Sequence, residues 1–170
     1  SNVPKSERIT TNRSMIKRTF QERGLPYASK LALQNCRDLI KILQWNEAHG
    51  IRFFRLSSEL FPWASEYDIS SLPDFDDICL ALQEAGDYAV DQGHRITSHP
   101  GPFNKLTSPK EHVVLNTIRD LEIHGEVFDM LGLPRSPYAK INIHVGAHYN
   151  DKPMAVGNFC KNFERLSPAV

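Results

Sequence analysis

Three things are scarce in this 170-residue chain, and each scarcity closes off a class of protein. No stretch approaches the ~18 consecutive apolar residues of a membrane-spanning helix, and residues 1–11 lack the apolar core of a secretory signal. Membrane insertion is disfavoured and an intracellular location is expected. Cysteine is sparse: Cys36, Cys79 and Cys160 are odd in number, widely spaced and set in apolar helical patterns. That argues against a disulfide framework or a zinc knuckle and for buried thiols. An excess of one charge is missing too, because Lys plus Arg (20) equals Asp plus Glu (20). The global basic surplus of a dedicated nucleic-acid binder is absent. Locally, however, Arg8, Arg13, Lys17, Arg18 and Arg23 crowd the first stretch, either to meet a phosphate backbone or as a solvated helix face. What remains, 41% hydrophobic residues and a mean hydropathy of -0.39, suits one soluble domain with a substantial core.

The pattern along the chain is a repeat. From Ala28 to His49, Leu31, Cys36, Leu39, Ile40 and Leu43 recur at helical spacing and Gly50 is a natural left-handed stop. The apolar run Arg52-Phe53-Phe54-Arg55-Leu56-Ser57 follows as a strand. A second helix is predicted over Asp74 to Gln92, closed by Gly93 and followed by the strand leading to His99. The third opens on Ser108-Pro109-Lys110-Glu111, a capping box with proline at the first helical position, and runs to Gly132. Pro134 and Pro137 prevent continuation, a strand leads to His144, and a fourth helix is expected from Met154 to Arg165. Gly50-Ile51-Arg52 and Gly93-His94-Arg95 lie 43 residues apart, and Lys140 follows Arg95 by a further 45.

Helix, glycine stop and strand at such intervals indicate β/α units around a parallel sheet, since parallel neighbours need a long crossover. Such units can close into an eight-stranded barrel or lie in an open sheet, and the fold class is read as α/β of the TIM-barrel (β/α)8 type. A whole barrel needs roughly 250 residues, so residues 1–170 are read as a single partial barrel domain of three to four units, beginning after the first strand. Such a sheet would expose unpaired edges and an apolar face, and the expectation is self-association and no catalysis by this chain alone.

Functional groups gathered at the carboxyl ends of successive strands are how such folds build active sites. His99 ends one strand and His144 the equivalent place one unit later. A lone histidine there is more often structural. Two on strands about 4.8 Å apart can converge on one ion. Glu66 or Asp68, from the loop after the first strand, would complete a mixed site suited to manganese, zinc or iron and to phosphodiester hydrolysis. His148 reads as an outer or surface residue, and His49, His94, His112 and His124 as solvated or capping groups. Phe103, after the Pro100-Gly101-Pro102 turn, either projects as a stacking wedge or packs under its own loop. Core packing is the better reading for Trp63.

The stretches Thr10-Thr11-Asn12-Arg13, Phe54-Arg55-Leu56-Ser57-Ser58, Phe61-Pro62-Trp63-Ala64-Ser65, Ser98-His99-Pro100-Gly101 and Ile143-His144-Val145-Gly146 with Asp151-Lys152 form an ordered set. In that order and spacing the chain resembles the UV damage endonucleases, metal-dependent DNA repair enzymes with a TIM barrel. The resemblance implies nicking of the phosphodiester 5′ of UV lesions such as pyrimidine dimers and 6-4 photoproducts in double-stranded DNA. It implies a cluster of divalent ions, manganese with zinc or magnesium as alternatives, and metal ligation by His99 and His144. Pro102 and Phe103 stand where the family inserts side chains into the lesion, and Asn12, Arg13 and Lys105 are assigned to DNA. The sequence departs from the family at Glu66, where members often carry histidine, and at Pro102, where glutamine is usual. Other readings are a sugar isomerase-like metal-dependent barrel and a non-catalytic module that binds DNA or a partner. No single residue is assigned as the catalytic acid or base.

Overall fold

The computed structural model describes residues 8–170. Its elements run α1 (Lys17–Ala48), β1 (Phe53–Leu56), two short helical turns (Ala64–Glu66 and Ile69–Ser71), α2 (Phe75–Asp91), β2 (Arg95–Ser98), α3 (Glu111–Met130), β3 (Ala139–Ile141) and α4 (Lys152–Phe163). The strands form one parallel sheet in the order β1-β2-β3. This is the expected partial barrel.

The three glycine stops are where the helical spacing puts them: Gly50, Gly93 and Gly132 have φ of 70°, 67° and 64°, a conformation that only glycine adopts without steric cost. Each helix end is thereby fixed; β1 and β2 start within three residues of their glycines, whereas β3 starts seven residues after Gly132. Parallel pairing then aligns Phe54 with Ile96 and Ala139, and Leu56 with Ser98 and Ile141. Because side chains alternate along a strand, these residues share the face toward the helices, where Leu56 and Ile96 are buried. Against them pack Ala28, Ala32, Cys36, Leu39 and Leu43 of α1 and Ile78, Leu82, Ala85 and Ala89 of α2. Small residues on both helices let them approach closely. The two are also tied where α2 begins: the Ser29 hydroxyl donates to Asp74 Oδ2 (2.7 Å) and accepts from the Asp74 N–H (2.9 Å).

Several boundaries differ from the sequence expectation for identifiable reasons. α1 begins at Lys17 rather than Ala28, because a preceding helical turn runs into a kink at Gly24 (φ 61°, ψ -160°), with Pro26 just beyond it. α3 begins at Glu111 with no side-chain cap. The Ser108 hydroxyl instead accepts from Lys110 N (3.1 Å), a local turn that competes with the expected cap. β3 ends at Ile141, so His144 lies in a loop. α4 begins at Lys152, where Asp151 Oδ1 accepts from Met154 N (2.9 Å). Of the three thiols only Cys36 is buried, and Cys160 is exposed.

The open face of the sheet is not apolar as expected. Its residues are Phe53, Arg55, Arg95, Thr97 and Lys140, and the three cations are exposed. The apolar contact on which self-association was expected to rest is therefore missing from this face. No helix among the described residues is long and apolar enough to cross a membrane.

Helix α2 meets the end of α3 at Gly86, where an added Cβ would lie 1.6 Å from the Leu131 carbonyl oxygen. Backbone cannot yield as a side-chain tip would. Gly86→Ala is expected to destabilise the fold by about 3 kcal/mol, measurable as a lower urea midpoint. An unchanged midpoint would show that α2 and α3 are not packed this closely.

Candidate metal and nucleic-acid site

At the carboxyl ends of β2 and β3 the backbone ladder outlasts the strands. Asn142 N–H and its Nδ2 both donate to the Ser98 carbonyl, at 2.9 and 3.3 Å. Two residues on, His144 faces His99 with ring centroids 4.4 Å apart and planes 28° from parallel. The two histidines thus share one site. Arg55, at the corresponding end of β1, brings Nη1 to 3.3 Å from His99 Nδ1. A guanidinium can only donate, so Nδ1 accepts, and the His99 ring is held between Arg55 and His144.

The carboxylate expected beside them is elsewhere. Among the described residues no group of three or more His, Cys, Asp or Glu side chains converges. Glu66 ends the helical turn that leans toward α3. It is exposed and lines a groove of ≈ 660 Å³ together with Ser58, Phe103, Asn104, Arg119 and Asp120. Asp68 is also drawn toward α3, lying 3.6 Å from Arg119. The loop after β1 runs through two short helical turns, the first of which packs on α3.

Phe103 projects. Its side chain is 86% exposed on a turn closed by Asn104 N–H donating to Gly101 O at 3.2 Å. Pro102 is exposed beside it and Lys105 is half-buried. The groove described above runs along the flank of this turn.

The N-terminal segment is pinned across α1. Asn35, fully buried, accepts from Arg13 N (2.9 Å) and donates to Arg13 O (3.1 Å) and Leu60 O (3.0 Å). The Arg13 guanidinium pairs with Asp38 at 2.6 Å and donates to Thr10 O and Arg8 O. Arg13 therefore holds its own segment in place, while Asn12 stands exposed next to it. Burial works to raise the Asp38 carboxyl, but hydrogen bonds from Lys41, Arg13 and the Thr10 N–H outweigh it and hold it below the usual carboxylate range. Of the other early cations, Arg18 pairs with Glu22 at 2.7 Å and Arg23 lies 3.5 Å over the Tyr27 ring. Trp63 is half-buried with a positive φ of 61°, a strained geometry for a bulky residue. Its Nε1–H donates to Met15 O (2.9 Å) and its ring stacks on Phe20 at 5.9 Å, which braces the loop after β1 against this segment.

Two histidines read as solvated or capping are buried instead. His124 Nδ1 lies 2.8 Å from the Ser98 hydroxyl, and burial pushes its pKa below the usual histidine range. Its partner Asp120 accepts from Asn104 Nδ2 at 2.5 Å. His94 Nε2 meets Glu47 Oε2 at 2.9 Å, and Glu47 is held low by Arg52 and then by His94. The signal for His124 was present: Thr117, Leu121, His124 and Phe128 fall at helical spacing, and all four are buried. His148 is a surface residue whose Nδ1 accepts from Asn150 N.

Comparison with known proteins bears on what such a rim serves. The family model of UV-endonuclease UvdE matches residues 2–170. The chain belongs to this family. It is 43% identical over 150 residues to the UV-damage endonuclease of Neurospora crassa, covering 86% of this chain and 22% of that protein. Identity to the UV-damage endonuclease of Schizosaccharomyces pombe is 37%, over 96% of this chain and 27% of the relative. For the UV DNA damage endonuclease of Clostridium perfringens it is 34%, over 97% and 39%. The chain thus spans between about a fifth and two fifths of these relatives' length. The crystal structure of SacUVDE superposes with a TM-score of 0.85 at 30% identity, covering 97% of this chain and 54% of that one. The three-stranded sheet is accordingly part of a TIM barrel of this family.

Asp38→Asn removes the anion that anchors Arg13, and is expected to cost about 1–3 kcal/mol. Because the folded carboxyl lies below its unfolded value, its contribution is complete above about pH 4 and declines as pH falls through the folded pKa. Urea titrations should show the wild type approaching the variant as the pH is lowered below 4. A constant gap down to pH 2 would contradict this.

Proposed function

We propose that this chain supplies part of the active face of a metal-dependent DNA repair endonuclease, one that nicks the phosphodiester 5′ of UV lesions in double-stranded DNA. The observation that carries the reading is the meeting of His99 and His144 on the rim from which Phe103 projects. The relatives' names supply the substrate class, and the family match favours DNA over the sugar of an isomerase-like barrel.

Two adjacent imidazoles, one just past β2 and one in the loop after β3, suit a divalent ion, manganese by preference with zinc or magnesium as alternatives, once Arg55 lets go of His99 Nδ1, because a neutral ring that accepts at Nδ1 keeps its proton on Nε2. Such an ion would polarise the phosphodiester and supply hydroxide at neutral pH. The chain's own groups do the rest. Arg55, exposed beside His99, would exchange its contact with His99 Nδ1 for the phosphate and hold the phosphate against the histidine rim. Phe103 enters the distorted duplex at the lesion and stacks on a base, with Pro102 behind it. Asn12 and Lys105 contact the flanking backbone, and Arg13 acts through the segment it anchors. Glu66 lines the same groove as Phe103 and is assigned to the metal only if the loop after β1 closes over the rim.

Phe103→Ala is expected to weaken binding to a duplex carrying one thymine dimer by about 1–3 kcal/mol, with intact duplex affected less. Equal affinity in a fluorescence anisotropy titration would assign Phe103 no contact with DNA. His99→Ala and His144→Ala are each expected to abolish manganese binding measured by isothermal titration. Retention of binding in both variants would remove the pair from the metal site.

A further inference from the structure

The exposed aromatic on the rim stands on a turn whose base is fastened at unusually many points. Immediately after Phe103, Asn104 Nδ2 donates to Asp120 Oδ2 at 2.5 Å, and Lys105 N–H donates to the Thr117 hydroxyl at 2.9 Å. That hydroxyl in turn donates to Val113 O at 2.8 Å, and Thr117 is 2% exposed. Two turns beyond Thr117 along α3, His124 reaches the Ser98 hydroxyl next to His99. From the other side, α4 sends Asn162 Nδ2 to Leu106 O (2.8 Å) and Asn158 Nδ2 to Thr107 O (3.3 Å). Every residue from Asn104 to Thr107 is therefore tied to a helix, while Pro102 and Phe103 stand free.

We infer that Thr117 and Asp120 are positioning residues that clamp the base of the Phe103 turn to α3, so that the aromatic is presented in one orientation before DNA arrives. This rests on the reading of Phe103 as the lesion-contacting side chain. Its physical basis is pre-organisation: a loop that must order on binding spends interaction energy on its own entropy, and one already ordered does not. Helix α3 serves both ends of the rim, since the helix that clamps the turn also reaches the strand end beneath His99. Neither Thr117, which is buried, nor the Lys105 amide it receives needs to touch DNA.

The test compares Thr117→Val, which keeps the shape and deletes the acceptor, with Thr117→Ser, which keeps the hydroxyl. Anisotropy titrations of the whole chain against a duplex with one thymine dimer and against the same duplex undamaged give a preference ratio. Thr117→Val is expected to lower that ratio about fivefold without changing affinity for intact duplex, and Thr117→Ser to restore it. In a Phe103→Ala background Thr117→Val should have no further effect, because there is no aromatic left to position. Asp120→Ala should behave like Thr117→Val, and serves in its place if the valine variant does not fold. Amide exchange at Asn104 and Lys105 should quicken in either variant. An unchanged ratio, or additive losses in the double variant, overturns the inference while leaving Phe103 a DNA contact. An unchanged ratio in Phe103→Ala itself overturns the underlying reading instead.

Discussion

Ser98 is where three demands on this structure meet. Its backbone pairs with Leu56 on one side and Ile141 on the other, its carbonyl receives both donors of Asn142, and its hydroxyl meets His124. The carbonyl contact continues the ladder past the end of β3 and sets where His144 falls relative to His99. The hydroxyl contact ties the strand end to α3, and through α3 to the turn carrying Phe103. Alanine here would fit the same fully buried position yet leave His124 Nδ1 without the hydroxyl, a cost of the kind that attaches to buried polar groups rather than to packing. The site is in this sense built from the middle strand outwards.

The sheet divides the molecule chemically. Its helix side is closed by small and branched apolar residues from α1 and α2, and its other side carries Arg55, Arg95 and Lys140. Barrel interiors are usually filled by branched apolar side chains. A cationic interior must instead be met by anions or water, and Arg55 beside His99 is the member of the set nearest the proposed chemistry. At the opposite end of the strands Glu47 gathers Arg52 and buried His94 into a separate polar knot. The two ends of the sheet are thus polar for different reasons, one open to a ligand and one closed on itself.

Much of this was legible in the residues. Glycine has a conformational signature that no neighbour overrides, so Gly50, Gly93 and Gly132 marked the helix ends correctly, and their spacing gave parallel β/α units. Parallel pairing then made the meeting of His99 and His144 deducible. Other features depended on contacts distant in sequence. Glu66 could not be placed because the loop after β1 follows Trp63, whose strained backbone is held by Met15 and Phe20. The pairing of Arg13 with Asp38 is of this kind, because its partner is 25 residues away on α1. Whether Phe103 packed or projected turned on how tightly the following residues are bound to α3 and α4, which local pattern does not encode. His124 is different, because its place on the stripe of Thr117, Leu121 and Phe128 is local and outweighs its polarity.

The kink at Gly24 separates the opening turn of α1 from the long segment that packs on α2, and Phe20 lies in that opening turn. Trp63 stacks on Phe20 and donates to Met15, whereas the chain's other tryptophan, Trp45, is 56% exposed on the long segment. The two indoles therefore occupy different optical environments. Emission from the half-buried ring reports whether the opening segment is seated over the loop after β1, while Trp45, stacked on His49 at 3.9 Å, emits from a separate environment. The chain carries a built-in fluorescent gauge of its own rim, readable without any attached dye.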